Sequence, residues 1–267
     1  MKILVIGTTS ILLNFFKENT SIKNIDYFSR KSINQIDFKK YTHLINFCVD
    51  PSIKKKNYSE INDIDKKLLK LTKKFKIVYI FFSTRVIYGV KKNFFFKESD
   101  IKKKPIHKYG KNKKMIENNI VLFKKKSHLI LRLGTFLYFS LWKRNLFINK
   151  MLNDLKYKGY IKLDTNKTTI KDFITIDYFV KSLDILIKSG KIGTYNLSSG
   201  IGIRIIDIAN NIIKGYGKGK VIMTKKLKKN DSFILCTKKI NKVTQIKIDK
   251  NTILSYSRKI GRDLRDA

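Results

Sequence analysis

Tyr109 and Lys113 stand four residues apart in "PIHKYGKNKKMIE", residues 105–117. On a helix that spacing puts both side chains on one face. An ammonium beside a phenol favours the phenolate and lowers its pKa from about 10 toward a working range. The tyrosine can then exchange a proton with a substrate hydroxyl or carbonyl. In a chain with 59 lysines and arginines the spacing also arises by chance, so its setting matters. Upstream, "FFSTRVIYG" places Ser83 and Thr84 at the end of an apolar run. If that run is a parallel strand, its C-terminal end is where open α/β folds bind ligands. A hydroxyl there would hold the reacting oxygen while Tyr109 moves its proton; the plainer reading of Thr84 is a cap on the turn.

A second feature opens the chain. "MKILVI" runs into Gly7 and then "TTSILL". A strand that turns through glycine into a helix presents backbone N–H groups, here those of Thr9, Ser10 and Ile11, to a pyrophosphate. The usual G-x-x-G-x-x-G pattern keeps only Gly7, with Ser10 and Leu13 in the other two places. Leu13 is expected to hold the helix away from its strand and weaken binding. "NIDYFSRKS" reads as the second strand and offers Ser29, Arg30 and Lys31 at its end. Basic residues there suit a ribose 2′-phosphate, whereas an acid suits the 2′-hydroxyl, so NADP is favoured over NAD. Arg30 as a solvated loop charge is the plain alternative.

The elements that must position these residues alternate. "KILVIG", "NIDYFSR", "THLINFCV", "KIVYIFFST" and "HLILRLG" read as strands, and "ILLNFFKE" as the start of a helix. "YSEINDIDKKLLKLTKKF" carries Ile61, Ile64, Leu68, Leu69 and Leu71 as a helical stripe, and "KYGKNKKMIENNIVLF" forms a second long helix. That order predicts a doubly wound parallel α/β sheet. Further helices are read in "NLFINKMLNDLKYKG" and "RIIDIANNIIKGYG", a turn into a helix in "DFITIDYFVKSLDILIKSGK", and a short strand in "GTYNLSSG". With no linker and no composition break, the reading is one compact unit. Residues 1–145 mainly hold the dinucleotide and residues 146–267 mainly hold the substrate.

Five stretches, in order, resemble one known family. "STRVIYG" resembles S-S/T-x-x-V-Y-G and "YGKNKKMIE" resembles Y-G-x-S-K-x-x-x-E. "ILRLGTFLY" is similar to R-x-x-N-V-Y-G, "KDFITIDYFVKSL" to R-D-F-I-x-V-D-D-V-A, and "GTYNLSSGIGIRIIDIA" to G-x-Y-N-I-G-x-G-x-x-x-S-I-x-E-L-A. These are motifs of the extended short-chain dehydrogenase/reductase family, in particular its nucleotide-sugar epimerases and reductases. The resemblance implies a Rossmann-like fold, NAD or NADP as cofactor, and a nucleotide-sugar substrate. It implies Thr84, Tyr109 and Lys113 as the catalytic set, with Lys113 also on the nicotinamide ribose. Asn46 and Cys48 in "LINFCVD" match the loop along which the cofactor lies. Thr135 stands where a substrate-contacting asparagine is common, and Lys171 replaces the arginine of R-D-F that meets the nucleotide diphosphate. "STR" in place of the dehydratases' Thr-Asp-Glu favours epimerisation or ketone reduction. A homodimer through the two long helices is also implied.

Composition tempers one alternative. The net charge of +39 suggests nucleic acid, yet only eight of the 59 basic residues are arginine. Arginine supplies bidentate phosphate and base contacts, so scattered lysine reads mainly as a solvated surface. A non-catalytic binding protein on the same fold, using that surface for RNA or another anion, is the second hypothesis. Cys48 and Cys236 lie far apart and read as free thiols of a cytoplasmic protein. No signal region or membrane span is read. His43, His107 and His128 have no partner at metal-ligand spacing, so no metal is expected.

Overall fold

The computed structural model describes residues 1–90, 93–100, 105, 107–140, 146–224 and 231–267; Ile106, Arg144 and Asn145 of the readings above lie outside them. The first half alternates as expected: β1 (Ile3–Ile6), α1 (Ile11–Asn19), β2 (Ile25–Phe28), β3 (His43–Asn46), α2 (Ile64–Leu71), β4 (Val78–Thr84), β5 (Phe95–Phe96), α3 (Lys108–Phe123), β6 (His128–Leu133) and β7 (Thr135–Leu137). Then come α4 (Phe147–Lys158), β8 (Tyr160–Leu163), β9 (Ile170–Thr175), α5 (Ile176–Lys188), β10 (Gly193–Leu197), β11 (Gly202–Arg204), α6 (Ile205–Tyr216), β12 (Lys220–Met223), β13 (Ile234–Leu235), α7 (Lys238–Thr244) and α8 (Lys250–Arg265).

Six strands form one parallel sheet in the order β10-β6-β4-β3-β1-β2. Successive residues of a strand face opposite sides, and both sides here are apolar, which is why the strands read as continuous runs. Ile3, Val5, Ile45, Ile80, Leu129 and Leu131 pack under α1 and α5. Leu4, Ile6, Leu44, Tyr79, Phe81 and Ile130 pack under α2 and α3. Helices on both faces make the sheet doubly wound. A separate core of α4, α6, α8, β8 and β9 forms the smaller part.

Four local readings change. The stretch expected to turn into a helix at residue 172 begins as a strand, β9, paired with β7 and β11. The helix after β3 starts only at Ile64, capped by the Asp63 side chain on Lys66 N, and Ile61 is 93% exposed rather than part of the buried stripe. The sheet reaches past residue 145, because β10 is its edge strand and α5 packs on its face. Leu13, finally, is fully buried among Ile3, Val5, Phe16 and Phe47, so it fills the layer between α1 and the sheet. Restoring glycine there would therefore open a void. Among the described residues no helix is long and apolar enough to cross a membrane.

Leu13→Ala should lower unfolding stability by about 3 kcal/mol, the typical cost of a cavity left by a buried leucine. Urea unfolding checks it, and a change below about 1 kcal/mol would show that the layer closes without this side chain.

Candidate active site

The strand order reverses direction at β1, whose neighbours are β2 on one side and β3 on the other. Crossovers leave such a point to opposite faces and open a crevice at the strands' C-terminal ends. A cleft of about 500 Å³ lies there, lined by Gly7, Thr9, Ser10, Arg30, Cys48 and Val49 among others. Gly7 has φ +126°, and a Cβ on it would sit 3.3 Å from Phe47 Cβ and 3.4 Å from Cys48 Sγ. Ser10 holds the N-cap position of α1 with no side-chain hydrogen bond to the helix. The first-turn N–H groups are thus left to serve an anionic oxygen. A pyrophosphate fits this cradle.

A second cleft, of about 320 Å³, adjoins the first across the start of α1 and is lined by Ile11, Ser83, Thr84, Tyr109, Thr135 and Phe136 among others. Thr84 ends β4 and its Oγ1 accepts from Val86 N at 3.3 Å, so the hydroxyl caps the following turn while bordering the cleft. Ser83 is 3% exposed and its Oγ has no partner among the described residues. A buried hydroxyl without a partner carries a desolvation cost, which a ligand's oxygen in this cleft would relieve.

Tyr109 reaches the cleft because α3 is pressed against the turn after β4. A Cβ on Gly110 would lie 2.8 Å from Val86 O and 3.0 Å from Pro105 Cβ, so only glycine permits this approach. Further along α3, Glu117 forms a buried bidentate pair with Arg132 of β6: Nη2 donates to Oε2 at 2.7 Å and Nε to Oε1 at 3.1 Å. Arg132 Nη1 also donates to Glu98 O at 2.7 Å and Tyr88 Oη at 3.0 Å. Helix and sheet are therefore locked by two buried charges whose separation would leave each poorly compensated.

Lys113 departs from the expected arrangement. Its Nζ donates to Phe82 O at 2.8 Å and lies 4.2 Å from the centre of the Phe81 ring. With Cys48, Asp63 and Asp65 it borders a separate void of about 30 Å³. Burial pushes the Tyr109 phenol upward, with no offset from Lys113, so the expected lowering by the ammonium is not met. The reason is the competition for a buried cation. Burial pulls the Lys113 pKa down, while the nearby carboxylates of Asp65, Glu117 and Asp63 support its charge.

Asp65 is itself fully buried, accepting from Asn46 Nδ2 and from Tyr79 Oη, each at 2.7 Å. Asn46 Oδ1 in turn accepts from Cys48 N at 2.9 Å. Asn46 is thus committed to this network and does not line the Gly7 cleft, whereas Cys48 does. Ser29 is likewise outside the lining, its Oγ 3.0 Å from Ser32 Oγ. Lys171, 7% exposed, donates to Asp231 at 2.5 Å, and Arg85 meets the same carboxylate at 2.7 Å; neither cation borders the two clefts. Sequence reading missed Asp65 and Asp50. The available signals were an acid inside an apolar helical stripe and an Asp-Pro pair, which marks a cap. Cys48 and Cys236 are free, and no metal-holding cluster occurs among the described residues.

Burial raises the Asp65 pKa from the ordinary carboxyl value of 3.8 to about 6. Between those values the folded chain binds a proton that the unfolded chain has released, so this group's contribution to stability falls as pH rises. Asp65→Asn removes that loss. Its stability relative to the native chain should improve by up to about 3 kcal/mol from pH 4 to pH 7. Urea midpoints at both pH values check this, and a difference that does not change with pH would contradict it.

No protein-family model matches the sequence. No curated protein matches it either. Solved structures do share its architecture. UDP-N-acetylglucosamine 4-epimerase from Methanobrevibacter ruminantium, solved with UDP-N-acetylmuramic acid, superposes with TM-score 0.80 at 16% identity, over 98% of this chain and 97% of that one. UDP-glucuronic acid 4-epimerase from Bacillus cereus, solved with UDP-glucuronic acid and NAD, gives 0.78 at 17% identity over 99% and 100%. RMD from Pseudomonas aeruginosa, complexed with NADPH, gives 0.80 at 12% identity over 100% and 99%. At such identities the likeness establishes the architecture alone: the chain has the Rossmann-like α/β fold of these three structures over nearly its whole length.

Proposed function

We propose that the chain is an NAD(P)-dependent enzyme of the extended short-chain dehydrogenase/reductase type, an epimerase or ketoreductase acting on a nucleotide-linked sugar. One observation carries this reading: Thr84 and Tyr109 border a cleft that adjoins, across the start of α1, the Gly7 cradle at the switch point of the sheet. The sugar-nucleotide complexes and bound dinucleotides of the structural neighbours support it.

When bound, the nicotinamide supplies or receives hydride at a sugar carbon. Everything else falls to the protein. Tyr109 passes a proton to or from the oxygen on that carbon. Thr84 keeps its turn capped by accepting from Val86 N, and its own O–H is left to orient the same oxygen. Ser83, buried and unpartnered, adds a second hydroxyl at the floor, and Thr135 faces the cleft from β7. Ile11, Phe136 and Tyr138 make the walls apolar, which excludes water and strengthens these polar contacts. Lys113, held on Phe82 O and lining neither cleft, contributes only the charge of a buried cation behind β4. Lys171 and Arg85, both paired with Asp231 outside the clefts, add only long-range positive charge toward a substrate's diphosphate. The many solvated lysines add a field that draws anionic substrates. Exposed Met115, Val121 and Leu122 on α3 support pairing of two copies through that helix. Two free thiols support a cytoplasmic location.

Calorimetric titration with NAD and NADP, followed by a screen of nucleotide sugars, tests the reading. Tyr109→Phe should lower turnover by about 10²–10⁴-fold while leaving dinucleotide affinity within about threefold. Failure to bind either dinucleotide at millimolar concentration would overturn the proposal. So would salt-dependent RNA binding that survives Tyr109→Phe in a chain that binds no dinucleotide.

A further inference from the structure

The rim of the Gly7 cleft carries opposed charges from the loops that follow two different strands. At the end of β2, where dinucleotide folds place the group that reads the adenosine ribose, stand Ser29 and Arg30. The acid of β2 itself, Asp26, is remote from this point: it is registered with Leu4, pairs with Lys2 at 2.8 Å and accepts from Tyr41 Oη at 2.7 Å. Arg30 lines the cleft with its side chain 49% exposed, and its Nη1 donates to Asp50 Oδ2 at 3.3 Å. Asp50 arrives from the loop after β3, between Val49 and Pro51, both of which line the same cleft.

Asp50 is held where it is. Its Oδ1 accepts from Ser52 N at 2.8 Å, capping the short helical turn Pro51–Lys54, whose first position is the proline. That bond and the guanidinium keep the carboxyl ionised, its pKa below the usual value. Arg30 has no comparable anchor, and an exposed ion pair is easily exchanged for another partner. Lys31, exposed beside it, adds positive charge to the same rim.

We propose that Arg30 and Asp50 together set the choice between NAD and NADP, Asp50 supplying from β3 the carboxylate that β2 lacks at this rim. The proposal rests on the dinucleotide reading above. A ribose 2′-phosphate gains Arg30 but must sit beside the anchored Asp50 carboxylate. A 2′-hydroxyl finds both a donor and an acceptor there. The opposed charges leave the native chain with weak discrimination, less than about tenfold between the two dinucleotides. On this proposal the preference for NADP read from Ser29, Arg30 and Lys31 is offset by Asp50.

Calorimetric titration of the native chain, Asp50→Asn and Arg30→Ala with NAD and NADP tests it. Asparagine is as good an N-cap as aspartate, so Asp50→Asn keeps the turn and removes only the charge. It should move the affinity ratio about tenfold toward NADP, and Arg30→Ala should move it about tenfold toward NAD. Thermal melts of both variants within a few degrees of the native chain confirm that the fold is kept. If Asp50→Asn alters both affinities in parallel, or neither, Asp50 is a structural cap and the proposal falls while the dinucleotide reading stands. If the native chain binds neither dinucleotide, both fall.

Discussion

The bidentate pair between Glu117 and Arg132, with each side chain 5% exposed, is the constraint on which the candidate site depends. It fixes α3 against β6 two turns beyond Tyr109, while Gly110 lets the helix's first turn close on the strand end that carries Thr84. Losing either charge would strand the other in the interior at a cost of about 3–5 kcal/mol. The same arginine reaches Tyr88 and Glu98, so the loop after β4, the helix and the sheet share one anchor. A tyrosine on a surface helix is thereby held at the mouth of a cleft with little freedom to move.

Much of this was legible in the chain. The apolar runs became the strands of one parallel sheet, and the motif around Tyr109 became a helix start beside the end of β4. Gly7, Thr84 and Tyr109 line the two clefts because backbone geometry beside a glycine or a turn fixes them locally. Side chains whose partners come from distant sequence were not so legible. Asn46 turned to Asp65, nineteen residues on, and Lys171 to Asp231, sixty residues on. Lys113 shares a helix face with Tyr109 by spacing, yet the Phe82 carbonyl and Asp65 decide where its ammonium points. Periodicity also put Ile61 in a stripe that the Asp63 cap excludes from the helix.

The glycine loop shows how a pattern can erode while its geometry persists. Gly7 retains the one position where φ is positive and a Cβ would crowd Phe47 and Cys48. Leu13 stands at the position of the third glycine and has been absorbed into the core, so α1 and the sheet are now built around a leucine. Ser10 keeps the N-cap place without engaging the helix. The cleft survives because its shape comes from the reversal of strand order at β1, which single substitutions do not undo.

The central claim is that the two adjoining clefts bring a dinucleotide's reacting carbon to a sugar held by Thr84 and Tyr109. Deuterium transfer tests it most directly. The chain is loaded with reduced dinucleotide dideuterated at the hydride-donating carbon and mixed with the keto forms of a panel of nucleotide sugars, and the sugars are analysed by mass spectrometry. Label on a sugar carbon, lost in Tyr109→Phe, is the predicted result. A chain that binds the reduced dinucleotide and consumes a keto sugar without moving any label to it would contradict the account.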